Sequence, residues 1–160
     1  DRAFETNSPT VLMNSSRHHA SYLMKRLIDK ATKDQDEIRI IYGALKYEVY
    51  NQKGMITSLQ NFLASAGKVS VITEKAIDQG NYNQFAQMIK SKDACKITSV
   101  GVEQLALDTV TAAPHFFLVG DRAFRLETNH ATSSAYGCFN NSTIGQRLVE
   151  TFDVICRKYC

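Results

Sequence analysis

An α/β fold, with a mixed and mostly parallel sheet, helices on both faces and an antiparallel hairpin towards the C-terminus, is predicted from three observations. Apolar residues recur at helical spacing in four stretches, 16 to 33, 51 to 66, 82 to 91 and 143 to 159. Short β-branched runs at 37 to 43, 68 to 73 and 95 to 100 alternate with the first three of these, the pattern of βαβ crossovers. The stretch HFFLVGDRAFRLE, residues 115 to 127, then places two apolar runs about a Gly120-Asp121-Arg122 turn, the signature of a β-hairpin.

Residues 1 to 14 hold Pro9 and scattered polar side chains with little periodicity, so an irregular or lightly paired lead-in is expected there. Asn14, Ser15 and Ser16 then offer N-cap oxygens. Ala20, Leu23, Met24, Leu27, Ile28 and Ala31 follow on one stripe, giving a helix over 16 to 33. Lys25, Arg26, Lys30 and Lys33 form its solvated side. The compact run EIRIIYG predicts a buried strand that ends at Gly43. Met55, Ile56, Leu59, Phe62 and Leu63 make the second helical stripe, which Gly67 closes as a C′ residue. KVSVIT is the next strand. Phe85, Met88 and Ile89 mark a third helix, and CKITSV a third strand. Residues 101 to 114 read as a short helix or a loop over the sheet. Thr128 to Ser142 is a polar, small-residue loop that contains His130, Ser133, Ser134, Gly137, Asn140 and Asn141. The last helix turns Ile144, Leu148, Phe152 and Ile155 inward.

With 160 residues, 44% hydrophobic and 22% charged, the chain fits one domain, 1–160, and its composition excludes disordered and collagen-like classes. A domain of this length buries about 70% of the surface its unfolded chain exposes. Net charge of +3 and a pI near 8.7 suit an anionic partner, but fall short of the basic stripe of a dedicated nucleic-acid binder. No apolar run approaches the roughly 20 residues that span a bilayer, and no secretory signal is visible, so a cytoplasmic location is expected. Because the chain opens at Asp1 and not at Met, that expectation leaves open a preceding leader, anchor or further domain. Cys95, Cys138, Cys156 and Cys160 form no Cys-x-x-Cys pair and read as reduced thiols. Gly-rich phosphate fingerprints are absent. Neither a cofactor nor a metal site is expected.

Alternation sorts the hairpin onto two faces. Phe116, Leu118, Phe124 and Leu126 are the apolar one. His115, Phe117 and Val119 lie opposite Glu127, Arg125 and Ala123 on the other, so a histidine, an arginine and a glutamate meet at the hairpin's open end. The structural alternative stands beside the chemical one: His115 as a strand-end residue with a satisfied hydrogen bond, Arg125 pairing with Glu127, and residues 137 to 141 as a plain loop capped by Asn141 or Ser142.

The order of elements, with a histidine opening the hairpin's first strand, resembles one half of the phospholipase D superfamily over about residues 15 to 158. That superfamily carries H-x-K-x4-D on the hairpin and a G-S-x-N element after it, and two halves meet to form one site. The resemblance implies a histidine that attacks phosphorus, a partner histidine that protonates the leaving group, and lysines and asparagines that hold the phosphate oxygens. Here His115 takes the histidine place, Phe117 the lysine place and Arg122 the aspartate place, with Asp121 one residue early. Alignment on Asp121 puts Pro114 and Phe116 at the histidine and lysine places instead. Either register lacks the lysine. Gly137-Cys138-Phe139-Asn140 looks like G-S-x-N with cysteine for serine, displaced towards the C-terminus.

A phosphodiester transition state gathers charge on its nonbridging oxygens, where fixed cations are worth several kcal/mol. Loss of the lysine therefore implies a crippled site unless Arg125, across the hairpin from Phe117, supplies the cation. The expected site is thus His115 and Glu127 in the catalytic places, Glu127 orienting the imidazole, with Arg125, Asn140 and Ser134 binding phosphate. Three functions follow: an impaired phospholipase D-like domain that binds a phosphate-bearing ligand or a protein partner; an active phosphodiesterase or nuclease with His115 as nucleophile; or an unrelated α/β regulatory or interaction domain. The first two imply a homodimer, and the ligand class is a nucleic acid or another phosphodiester.

Overall fold

The computed structural model describes residues 2–14, 16–75, 83–101, 114–129 and 134–160. In chain order these form α1 (Arg2–Glu5), β1 (Leu12–Asn14), α2 (Arg17–Asp34), β2 (Ile38–Tyr42), α3 (Tyr47–Tyr50), α4 (Lys53–Ala64) and β3 (Val69–Thr73). Then come α5 (Gln84–Lys90), β4 (Lys96–Ser99), β5 (Phe116–Val119), β6 (Ala123–Asn129), β7 (Ser134–Cys138) and α6 (Ser142–Tyr159). The expectation for 101 to 114 falls almost wholly on residues 102–113, outside the described ones, as do His130 and Ser133.

Local chemistry accounts for most boundaries. Ser16 caps α2, its hydroxyl accepting from His19 N at 3.2 Å, and Asn141 caps α6 by accepting from Ile144 N at 3.1 Å. The stripe Ala20, Leu23, Met24, Leu27, Ile28 and Ala31 is buried as its spacing predicts. The left-handed residue after α4 is Ala66, with φ of 60°, and not Gly67. Gly67 serves a close approach instead, since a Cβ there would stand 2.4 Å from the Phe62 ring.

The sheet runs β1-β7-β6-β5-β2-β3-β4. It is mixed: β2, β3 and β4 are parallel, as the crossovers require, and every other pairing is antiparallel. Parallel character is less extensive than the sequence suggests because two antiparallel strands lie in stretches read as irregular. The lead-in contributes β1, and the polar loop 128 to 142 contributes β7. Two cores flank the sheet. On one side α2 to α5 cover Ile38, Ile40, Val69, Val71, Phe117 and Val119. On the other, α6 sets Leu148, Phe152 and Ile155 against Ile41, Ile72, Phe116, Leu118 and Phe124. The hairpin forms in the expected register, Phe117 opposite Arg125 and Leu118 opposite Phe124, around Gly120 with φ of +57°.

Candidate functional site

Register decides what meets at the open end of the hairpin. Because Ile41 pairs with Phe116 in the antiparallel β2–β5 ladder, the next residues, Tyr42 and His115, stand level and on the same face. Their rings stack, centroids 5.4 Å apart and planes 23° apart. The parallel β2–β3 pairing ends at Tyr42 and Thr73, and Glu74 N donates to Tyr42 O at 3.1 Å, which anchors Glu74 beside the imidazole. Across the hairpin, Glu127 N donates to His115 O at 2.8 Å. Arg125 and Glu127, two apart on β6, share the α2 side of the sheet with Asn14 of β1.

The side chains close into a network. His115 Nε2 lies 3.0 Å from Glu74 Oε1, and Nδ1 lies 3.8 Å from Glu127 Oε1. The Tyr42 hydroxyl donates to Glu127 Oε2 at 2.7 Å and accepts from Arg125 Nη1. Arg125 Nη1 also reaches Glu127 Oε2 at 3.2 Å, while its Nε donates to Asn14 Oδ1 at 3.1 Å. Arg125 is fully buried. The Glu127 carboxylate and the oxygens of Asn14 and Tyr42 stabilise a cation buried there. Burial alone would push the imidazole of His115 down; the carboxylates of Glu127 and Glu74 overcome it and hold its pKa above the ordinary histidine value. Burial, opposed by Arg125, raises the Tyr42 phenol, so it acts as a neutral hydrogen-bonding group.

Of the residues singled out in the sequence, His115, Arg125 and Glu127 come together. Asn140 does not. Cys138 pairs with Phe124, and Asn141 N donates to Arg122 O at 2.8 Å, so Asn140 lies by the hairpin's turn. Five strand positions separate its level from that of Ala135, opposite Glu127, roughly 16 Å at the rise of a strand. Gly137 and Cys138, of the same stretch as Asn140, are strand residues of β7. Gly137 has a packing role: a Cβ there would stand 2.3 Å from Leu23 Cδ2 of α2. Ser134, at the start of β7, pairs with Asn129 across a bulge, and its carbonyl accepts from Thr128 Oγ1 at 3.2 Å. Tyr42 and Glu74 were not singled out in the sequence, and Asn14 only as a possible N-cap. Only the place of Tyr42 and Glu74 near the ends of β-branched runs hinted at them.

A small cavity adjoins the network, with Arg125, Glu127, Tyr42 and Tyr50 in its lining. Its volume of ≈20 Å³ suits about one water. The Tyr50 hydroxyl, fully buried, has no hydrogen-bond partner among the described residues. A larger cleft of ≈400 Å³ runs between α2 and the α3–α4 segment. Among the described residues no cluster of three or more His, Cys, Asp or Glu side chains could hold a metal, and no helix is long and apolar enough to cross a membrane.

The sequence matches no family model and no curated protein. Solved structures do match it. Nuc from Salmonella typhimurium, a phospholipase D family member, superposes with a TM-score of 0.61 at 13% identity, over 96% of this chain and 97% of Nuc. NucT from Helicobacter pylori gives 0.63 at 8% identity, over 92% of this chain and 96% of NucT. TrmBL2, an archaeal chromatin protein with a novel mode of DNA binding, gives 0.62 at 9% identity, over 94% of this chain and 54% of TrmBL2. The chain has the α/β fold of a phospholipase D-like half.

Proposed function

We propose that the chain is a catalytically impaired phospholipase D-like domain that acts by binding a phosphate-bearing ligand. The state of His115 carries this reading. Attack on phosphorus needs an imidazole nitrogen with a free lone pair facing open space. Here both nitrogens face carboxylates, at 3.0 and 3.8 Å, which hold the imidazole's pKa above the ordinary histidine value and so favour the protonated form, which has no lone pair to give. The ≈20 Å³ cavity alongside is too small for a phosphodiester. Phe117, in the place of the family's lysine, is fully buried in the core and supplies no charge. Arg125, enclosed by Asn14, Tyr42 and Glu127, serves the network, so cations nearer solvent must meet the ligand.

Pairing with a second copy belongs to the same proposal. Met13 and Tyr136 are neighbours across β1 and β7 on the face opposite the network, 78% and 41% exposed, an apolar strip at the edge of the sheet for a twin chain to cover. The test of impairment is incubation with a bis-aryl phosphodiester and with single- and double-stranded DNA. No turnover is expected. Product release that disappears in His115→Ala would establish the enzyme reading in its place.

A further inference from the structure

We infer that the ligand is a phosphomonoester whose phosphoryl group sits between Arg17 and Lys46, one oxygen reaching the Tyr50 hydroxyl, while the rest of the molecule lies in the α2/α3–α4 cleft. This rests on the reading that the domain binds phosphate, and it moves the binding group away from the hairpin histidine. Arg17 lines both the ≈20 Å³ cavity and the ≈400 Å³ cleft, so one ligand held by its guanidinium would reach towards both.

The small cavity supplies the anion-binding end. Arg17 and Lys46 are exposed on its wall and make no ion pair among the described residues. Tyr50 adds a donor that is fully buried and unpartnered among the described residues, a cost that an incoming oxygen would relieve. Burial pushes its phenol far above the tyrosine range, so it remains a donor at any physiological pH. A cavity that admits one oxygen at the foot of two free cations suits a terminal phosphate, whose other oxygens stay outside with Arg17 and Lys46.

The cleft supplies the rest. Its volume is that of a small-molecule site. Tyr22 and Met55 give it apolar walls for a flat ring. Lys25 is held by Asp29 at 2.6 Å, which leaves the phosphate to Arg17 and Lys46. Glu48 on the rim brings a negative charge, unfavourable to a second phosphate but suited to hydroxyl or N–H donors on the ligand body. Together these select a monophosphate carrying a ring with donor groups, as a nucleoside monophosphate or the 5′-phosphorylated end of a single strand provides.

The experiment is titration of the full chain with inorganic phosphate, thymidine 5′-phosphate and a 5′-phosphorylated oligothymidylate, followed by calorimetry and ³¹P NMR. Variants are Tyr50→Phe, which keeps the ring and its packing, the pair Arg17→Gln with Lys46→Gln, and as charge control Arg157→Gln with Lys158→Gln on α6. The expected result is binding of thymidine 5′-phosphate that is weakened about tenfold by Tyr50→Phe and by the Arg17/Lys46 pair, and unchanged in the control. Tighter binding of the oligonucleotide than of the mononucleotide would assign the source to a strand end, and equal binding to the free nucleotide. Binding undiminished in both variants but lost in His115→Gln would overturn the placement and leave the phosphate-binding reading standing. No binding of any probe by the unmodified chain would overturn both.

Discussion

Replacing Arg125 by methionine probes the network where it is most buried. The substitution keeps an unbranched side chain but removes the cation that reaches Glu127 Oε2 at 3.2 Å, Asn14 Oδ1 at 3.1 Å and the Tyr42 hydroxyl. Breaking a buried ion pair by deleting one partner costs about 3–5 kcal/mol, because the other charge stays buried. Here Glu127 keeps the Tyr42 hydroxyl at 2.7 Å and the His115 imidazole at 3.8 Å, which places the expected loss near the lower limit, about 3 kcal/mol. For a domain of this size that is roughly 6–12 °C in Tm. The assay is urea unfolding followed by far-UV circular dichroism, since the chain has no tryptophan. Adding Glu127→Gln should recover about 1–3 kcal/mol relative to the sum of the two single losses. A loss under about 1 kcal/mol for Arg125→Met, or strictly additive single changes, would refute the claim that these groups act as one unit.

The raised pKa of His115 makes stability depend on pH with a definite sign. The native state binds its proton more tightly than the unfolded chain, so the contribution is complete below the unfolded value near 6.5 and is lost as pH rises through the folded pKa. Unfolding midpoints measured from pH 5.5 to 8.5 should fall more steeply for the unmodified chain than for His115→Gln; equal slopes would count against it. Gly145→Ala should cost about 1–3 kcal/mol in the same unfolding assay, because a Cβ there would stand 2.0 Å from the Asp121 carbonyl oxygen and force α6 off the hairpin turn. Sedimentation at micromolar concentration is expected to give a dimer that Met13→Lys or Tyr136→Lys dissociates, and a monomer of the unmodified chain would refute the pairing.

The hairpin was legible because its turn and its alternation are both local: Gly120-Asp121-Arg122 fixes the fold-back, and alternation then sets Arg125 across from Phe117. The stripes of α2, α4 and α6 were legible for the same reason. β1 was not, since Leu12-Met13-Asn14 is too short to show a period. β7 escaped because SAYGC is small and polar, and its place in the sheet comes from pairing with β1 and β6, distant or short partners that no local period reveals. Missing both strands overstated the parallel share of the sheet. In the site, residues on the hairpin itself could be grouped from spacing alone. Tyr42, Glu74 and Asn14 join them through the β2–β5, β2–β3 and β1–β7 pairings, which bring together positions up to 111 residues apart. Asn140 was misplaced for the opposite reason: a short pattern of residue types was read without the strand that carries it to the far end of the sheet.

The most direct test of impaired chemistry is the charge state of His115 itself. In ¹⁵N-labelled protein, with His115→Gln as the assignment control, the ring nitrogens of His115 should titrate with a midpoint above the ordinary histidine value of about 6.5, the signature of an imidazolium favoured by Glu74 and Glu127. A midpoint at or below about 6.5 would contradict the account, for His115 would then be neutral at pH 7, with the lone pair a nucleophile needs.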